Sequence, residues 1–232
     1  MKFNVINVKN SALVSLMAIF VSFSSSAAFV LNGTRVIYQE AANGATVVVN
    51  NQAKSDYAGQ AWVDSFEEGD NTTSFVSIPS FFEVKAETKQ VLRMVKVNND
   101  LPSDRESIFW LNVQEIPKAD TSAANKIVIA INTKVKMIYR PEALATSRRD
   151  AEANLYFYLD ESDGKVKLKN PTPYYFSIKA LQPEIDLNLV SGTLAPFSTV
   201  DMPQFKSLPK SIKISAVDDY GAVNEYTLKP KD

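Results

Sequence analysis

The chain is 232 residues long, room for one large domain or two small ones, and its 45% hydrophobic and 10% aromatic content excludes a disordered polymer. It contains no cysteine and no histidine, which rules out disulfide frameworks, zinc sites built on Cys or His, and Ser-His-Asp or Cys-His nucleophile systems. A formal net charge of −1 offers no surplus of cations to neutralise phosphates, so nucleic acid is not an expected partner.

Residues 1–27 carry Lys2 and Lys9 but no acid, then an apolar run from Ala12 to Phe23, then small residues. This is the three-part pattern of a cleaved secretory signal. The apolar run falls short of the roughly 20 residues that a membrane-spanning helix needs, so no stable membrane insertion is expected. Ser25 and Ala27 suit cleavage before Ala28, while Ser26 and Ala28 would permit it one residue later; Ala28 is taken as the mature start. Loss of the two lysines moves the net charge to −3.

Alternating and β-branched runs follow at short intervals: 35–38, 45–49, 57–66, 91–97, 107–113 and 127–139. Turn-rich stretches such as Asn43-Gly44 and Glu68-Gly69-Asp70-Asn71 separate them, and no helical period intervenes, which predicts an antiparallel β-sandwich. Arg140-Pro141 and the charged stretch 147–150 read as a linker. Beyond it, strands are expected at 155–159, 165–169, 174–181, 213–217 and 225–228, with prolines denying this half long strands. The expected organisation is a signal at 1–27, one β domain at 28–144 and a smaller one at 145–232.

Two features invite a functional reading. In Ile127-Val128-Ile129-Ala130-Ile131 the larger side chains share one face and Val128 and Ala130 the other, so one apolar face lacks an obvious cover. Either the second domain or a loop packs there, or the strand is offered to another polypeptide. Lys134, Lys136 and Arg140 lie close to the domain break, where fixed cations in a cleft would bind a carboxylate; two lysines spaced by two are equally one solvated strand face.

The stretch 101–117, LPSDRESIFWLNVQEIP, is much more specific. It resembles the signature of the periplasmic pilus chaperones of the chaperone/usher pathway, and TKVKMIYRP at 133–141, NPTPYY at 170–175 and DDYG at 218–221 resemble three further motifs of that family in the same order. The resemblance covers residues 28–232. It implies two immunoglobulin-like β-sandwich domains in an L-shaped arrangement, all-β, with no catalytic activity and no cofactor. The implied partners are fimbrial (pilin) subunits, incomplete sandwiches to which the chaperone lends an edge strand in the periplasm, and an outer-membrane usher that receives them. By the same resemblance Ile127, Ile129 and Ile131 are the donor side chains, Arg35 and Lys136 bind the subunit's terminal carboxylate, and Glu106, Arg140 and Asp219 form salt bridges across the domain interface. The nine residues from Lys118 to Lys126 and the absence of cysteine resemble the short-loop branch. An apolar donor edge would also let empty copies cap one another. The rival readings are a secreted β-sandwich adhesin or structural module, and a carboxylate-pair glycosidase for which no acidic pair stands out.

Overall fold

In the computed structural model, which describes residues 28–117, 129–182, 187 and 189–231, all regular structure beyond single turns of 3-10 helix is β-strand. The strands of the first half are β1 (Phe29–Leu31), β2 (Arg35–Gln39), β3 (Ala45–Asn51), β4 (Tyr57–Ser65), β5 (Phe75–Ile78), β6 (Phe81–Val84), β7 (Lys89–Lys96), β8 (Ser107–Pro117) and β9 (Asn132–Arg140). Those of the second half are β10 (Tyr156–Asp160), β11 (Lys165–Lys169), β12 (Phe176–Gln182), β13 (Thr193–Leu194), β14 (Thr199–Asp201), β15 (Ile212–Val217) and β16 (Val223–Leu228). The first half forms one sheet ordered β1-β3-β7-β5 and another ordered β2-β9-β8-β4-β6; the second forms β10-β11-β14 and β13-β12-β15-β16. The expected export signal lies outside the described residues.

Period-2 alternation explains why each sheet buries one side. In β3, Val47 and Val49 point inward beside Leu92 and Met94 of β7 and Leu111 and Met137 of the other sheet. A separate cluster built on Phe157, Leu168, Phe176, Leu194 and Ile212 fills the second half. Asn51 ends β3 inside the first core at no cost in unmade bonds: its amide donates to the carbonyls of Ser55, Val84 and Lys85, and its oxygen accepts from the Ala53 N–H.

The first strand run is divided between sheets. β1 pairs antiparallel with β3, whereas β2 pairs parallel with β9 in the opposite sheet, from Arg35↔Lys136 to Gln39↔Arg140. Phe29 closes the near end of the sandwich, its ring lying between Tyr57 and Phe82 and directly over Gly59. A Cβ on Gly59 would stand 2.4 Å from Phe82 and 2.7 Å from Phe29, so this position admits glycine alone.

One ionic cluster joins the halves. Arg140, at the end of β9 and only 2% exposed, donates from Nε to Glu106 Oε1 (2.7 Å) and from Nη1 and Nη2 to the two oxygens of Asp219 (2.7 and 3.0 Å). The other Glu106 oxygen accepts the Tyr175 N–H at 2.7 Å, and the Glu106 N–H donates to the Pro173 carbonyl. Each contact is prepared locally. Buried Asn170 staples the turn that presents Tyr175, donating to the Tyr174 and Ala195 carbonyls and accepting from Thr172. Asp218 caps the β15–β16 turn through the N–H groups of Tyr220 and Ala222, with Gly221 at φ 89°, and so leaves Asp219 to face Arg140. Burial raises the Glu106 pKa and Arg140 opposes that rise.

In the stretch at 147–150, expected as a linker, Ser147, Arg149 and Asp150 are exposed and one residue is not. Arg148 is buried, doubly bonded to Glu152 four residues on (2.9 and 2.7 Å), and its guanidinium lies 5.1 Å from the Phe176 ring centre. Replacing Arg140 by Ala leaves Glu106 and Asp219 facing a void, and the expected cost is about 3 to 5 kcal/mol. Urea unfolding followed by both intrinsic fluorescence and circular dichroism should show it, with the two halves melting separately in the variant.

Candidate functional site: the cleft face and open edge of β9

On one side β9 is paired with β8 from Asn132, opposite Gln114, to Tyr139, opposite Ser107. On the other side β2 covers only Lys136 to Arg140. Among the described residues, no strand lies beside Asn132–Val135 on that edge. Backbone donors and acceptors there are left for a further strand.

The isoleucine segment leads into this open stretch. Ile129 is 71% exposed and Ile131 is 40% exposed, so neither belongs to the protein's own core nor lies under the second domain. Ile127 is outside the described residues. The expected strand from 127 to 139 begins only at Asn132: the Ile131 carbonyl still accepts the Glu115 N–H, but β8 ends at Pro117, which has no N–H to continue the ladder. Odd-numbered residues of β9 point to the core, Met137 and Tyr139 buried and Val135 packed against them. An extension of the strand would carry Ile131 and Ile129 on that same face, past the end of the core.

The even-numbered residues face the second domain, and here the expected cations separate. Arg140 is consumed by carboxylates. Lys134 is exposed, its ammonium 4.8 Å from the Trp110 ring centre. Lys136 reaches across the cleft to the Ser191 carbonyl (2.8 Å) and the Ser177 hydroxyl (3.3 Å). Arg35, the first residue of β2 and the ladder partner of Lys136, donates from Nη1 to the Val217 carbonyl at 2.9 Å.

Lys136 and Arg35 thus adjoin, half-buried, with only neutral oxygens as partners. No carboxylate among the described residues lies within 4.0 Å of either cation. The Arg35 Nε is buried without a hydrogen-bond partner among the described residues. Burial, with Arg35 adding to it, brings the Lys136 pKa down to about 8; burial also lowers that of Arg35, against the pull of Asp219 and Asp218. A carboxylate entering here would satisfy the free Nε–H and relieve both charges. The position is specific, because Arg35 marks the point at which β2 begins. A strand laid on the open part of β9 in line with β2 must end there.

Sequence reasoning missed the second domain's share of this cleft: the Ser177 hydroxyl, the Val217 carbonyl and the carbonyl of Ser191, whose backbone is left-handed at φ 48°. Two of these are main-chain atoms with no sequence signal. The buried Arg148–Glu152 pair had one, the spacing of four, but it was masked by the neighbouring Arg149 and Asp150.

Residues 28–145 match the family described as the pili and flagellar-assembly chaperone, PapD N-terminal domain, and residues 150–228 match the pili assembly chaperone PapD, C-terminal domain. The chain is 39% identical over 225 residues to the Escherichia coli chaperone protein FanE, covering 93% of this chain and 97% of FanE. Among solved structures it is similar to that of a Salmonella enterica SafA pilin in complex with the SafB chaperone, with 27% identity, a TM-score of 0.72 and coverage of 89% and 98%. It is also similar to the periplasmic chaperone SfaE, with 29% identity, a TM-score of 0.68 and coverage of 88% and 100%. With both domain families matched in order along an all-β, two-sandwich chain, this protein belongs to the PapD family of pilus assembly chaperones.

Proposed function

We propose that this pilus chaperone receives pilin subunits in the periplasm along the open edge of β9, lending them Ile129 and Ile131, with Ile127 before them, as surrogate core side chains. An incomplete subunit would lay its last strand beside residues 129–135 and place its terminal carboxylate against Arg35 and Lys136. Such a guest runs in the same direction as β2, so its end abuts the start of β2. The observation that carries this reading is the coincidence of three features at one point: the start of β2, the open edge of β9 and an uncompensated pair of cations. The loaded subunit would then pass to an outer-membrane usher. We assign the protein to the short-loop branch on its nine residues at 118–126 and its lack of cysteine. Residues 1–27 act in this reading as a cleaved export signal.

Each charge-assisted hydrogen bond to the carboxylate is worth about 1.5 to 3 kcal/mol. Either Arg35→Ala or Lys136→Ala should therefore weaken subunit capture tenfold or more in a pull-down of subunit co-expressed in the periplasm, with thermal stability retained. Unchanged capture by both variants would remove the anchor. The pH dependence has a defined sign. Binding a carboxylate favours protonated Lys136, so affinity is full below pH 8 and falls by up to about tenfold per pH unit above it. Calorimetric titration with a free-acid subunit peptide checks this.

Burying an isoleucine contributes on the order of 1.5 to 3 kcal/mol. Replacing Ile127, Ile129 and Ile131 together by Thr should abolish capture while circular dichroism and melting temperature stay those of the wild type, because the exposed pair contributes nothing to the chaperone's own core. A variant that unfolds would return these residues to that core.

A further inference from the structure

Glu115 is a buried carboxylate in β8, and the clefts and cations of the subunit site make no use of it. Its Oε2 accepts two backbone N–H groups, those of Ala28 at 3.0 Å and Phe29 at 3.2 Å. No cation lies within 4.0 Å of it among the described residues. Ala28 is itself buried, its carbonyl accepting the Gln52 N–H at 2.8 Å, and Phe29 is locked over Gly59. The beginning of β1 is therefore held in a built socket, with a carboxylate oxygen aimed at the nitrogen of Ala28. An isolated buried carboxylate is costly unless a cation joins it.

From this arrangement we infer that Glu115 is the counter-ion of the mature protein's α-ammonium group, and that processing at the Ala27–Ala28 bond creates a buried salt bridge. The inference rests on the reading of residues 1–27 as a cleaved signal. Hydrolysis of that bond consumes one water, leaves a carboxylate on Ala27 and frees the Ala28 amine, which takes up a proton at neutral pH. The N–H donor already 3.0 Å from Glu115 becomes a charged donor at the same place. Cleavage one residue later would discard the nearer of the two donors, so the socket distinguishes Ala28 from Phe29 as the first residue. Glu115 also donates its N–H to the Ile131 carbonyl, so the clamp on the new N-terminus secures the end of β8 that carries the donor segment.

The experiment compares three forms of the chain under one set of conditions: protein exported to the periplasm, protein beginning at Ala28 with a free amine, and the same protein acetylated on that amine. The exported form should have the intact mass of residues 28–232; any other start overturns the assignment of Ala28. Acetylation, which removes the charge and keeps an N–H, should lower the melting temperature by about 2 to 6 °C for a chain of this size. In Glu115→Gln, which retains an acceptor, acetylation should shift it by less than about 1 °C. Equal melting temperatures of the free and acetylated wild-type chains, or an equal acetylation shift in Glu115→Gln, would overturn the salt bridge while leaving the site of cleavage standing. Should Glu115→Gln fail to fold, the wild-type comparison decides alone.

Discussion

The geometry of the cleft depends on Arg140. Its guanidinium takes carboxylate oxygens on both sides of the domain boundary, three bonds between 2.7 and 3.0 Å, in a setting from which water is nearly excluded. A lysine could not replace it, because one ammonium cannot hold Asp219 by two parallel bonds while a third reaches Glu106. The planar fork fixes direction as well as distance, and so sets the angle at which β15 and β12 approach β9. That angle brings the Val217 carbonyl to Arg35 and Ser177 to Lys136.

Cations with opposite fates therefore sit on one face of one sheet. Arg140 is fully compensated and is a hinge pin; Lys136, four residues earlier, meets only a hydroxyl and a carbonyl, and Arg35 beside it only a carbonyl. The fold bears the expense of two partly desolvated positive charges whose bonds across the cleft reach only neutral oxygens. Such an arrangement is understandable where an anion is to be recognised, since the unmet demand of the empty site becomes affinity in the complex. Ser191, held in a left-handed conformation, keeps one Lys136 proton occupied by a neutral partner that a carboxylate would outcompete.

The long strands were readable because β3 and β4 turn alternate residues to a single core, as β8 does with Phe109, Leu111 and Val113. The short ones were not. β5 and β6 are four residues each, separated by Pro79-Ser80, and β13 has two residues, too few for any period to register. β1 lies where the signal pattern ends and its composition differs little from it. The interdomain triad is dispersed over more than a hundred residues and has no local signature; it could be anticipated only through motif resemblance, as could Arg35, a solitary arginine in a β-branched run. What neither pattern nor resemblance supplied was the carbonyl side of the cleft, which arises when Arg140 fixes one domain against the other.

In the proposed complex, the late start of β2 would turn the open edge of β9 into a measuring device. Residues 132–135 offer about 13 Å of strand backbone before the start of β2 at Arg35. A guest whose end is fixed at that stop is counted backwards from its last residue, and side-chain direction reverses at every step. Shortening a guest by one residue would therefore turn its whole apolar set outward, whereas shortening it by two would restore the facing and cost only one place in the ladder. Selection against truncated guests would then alternate between odd and even losses, a discrimination by parity and not by size.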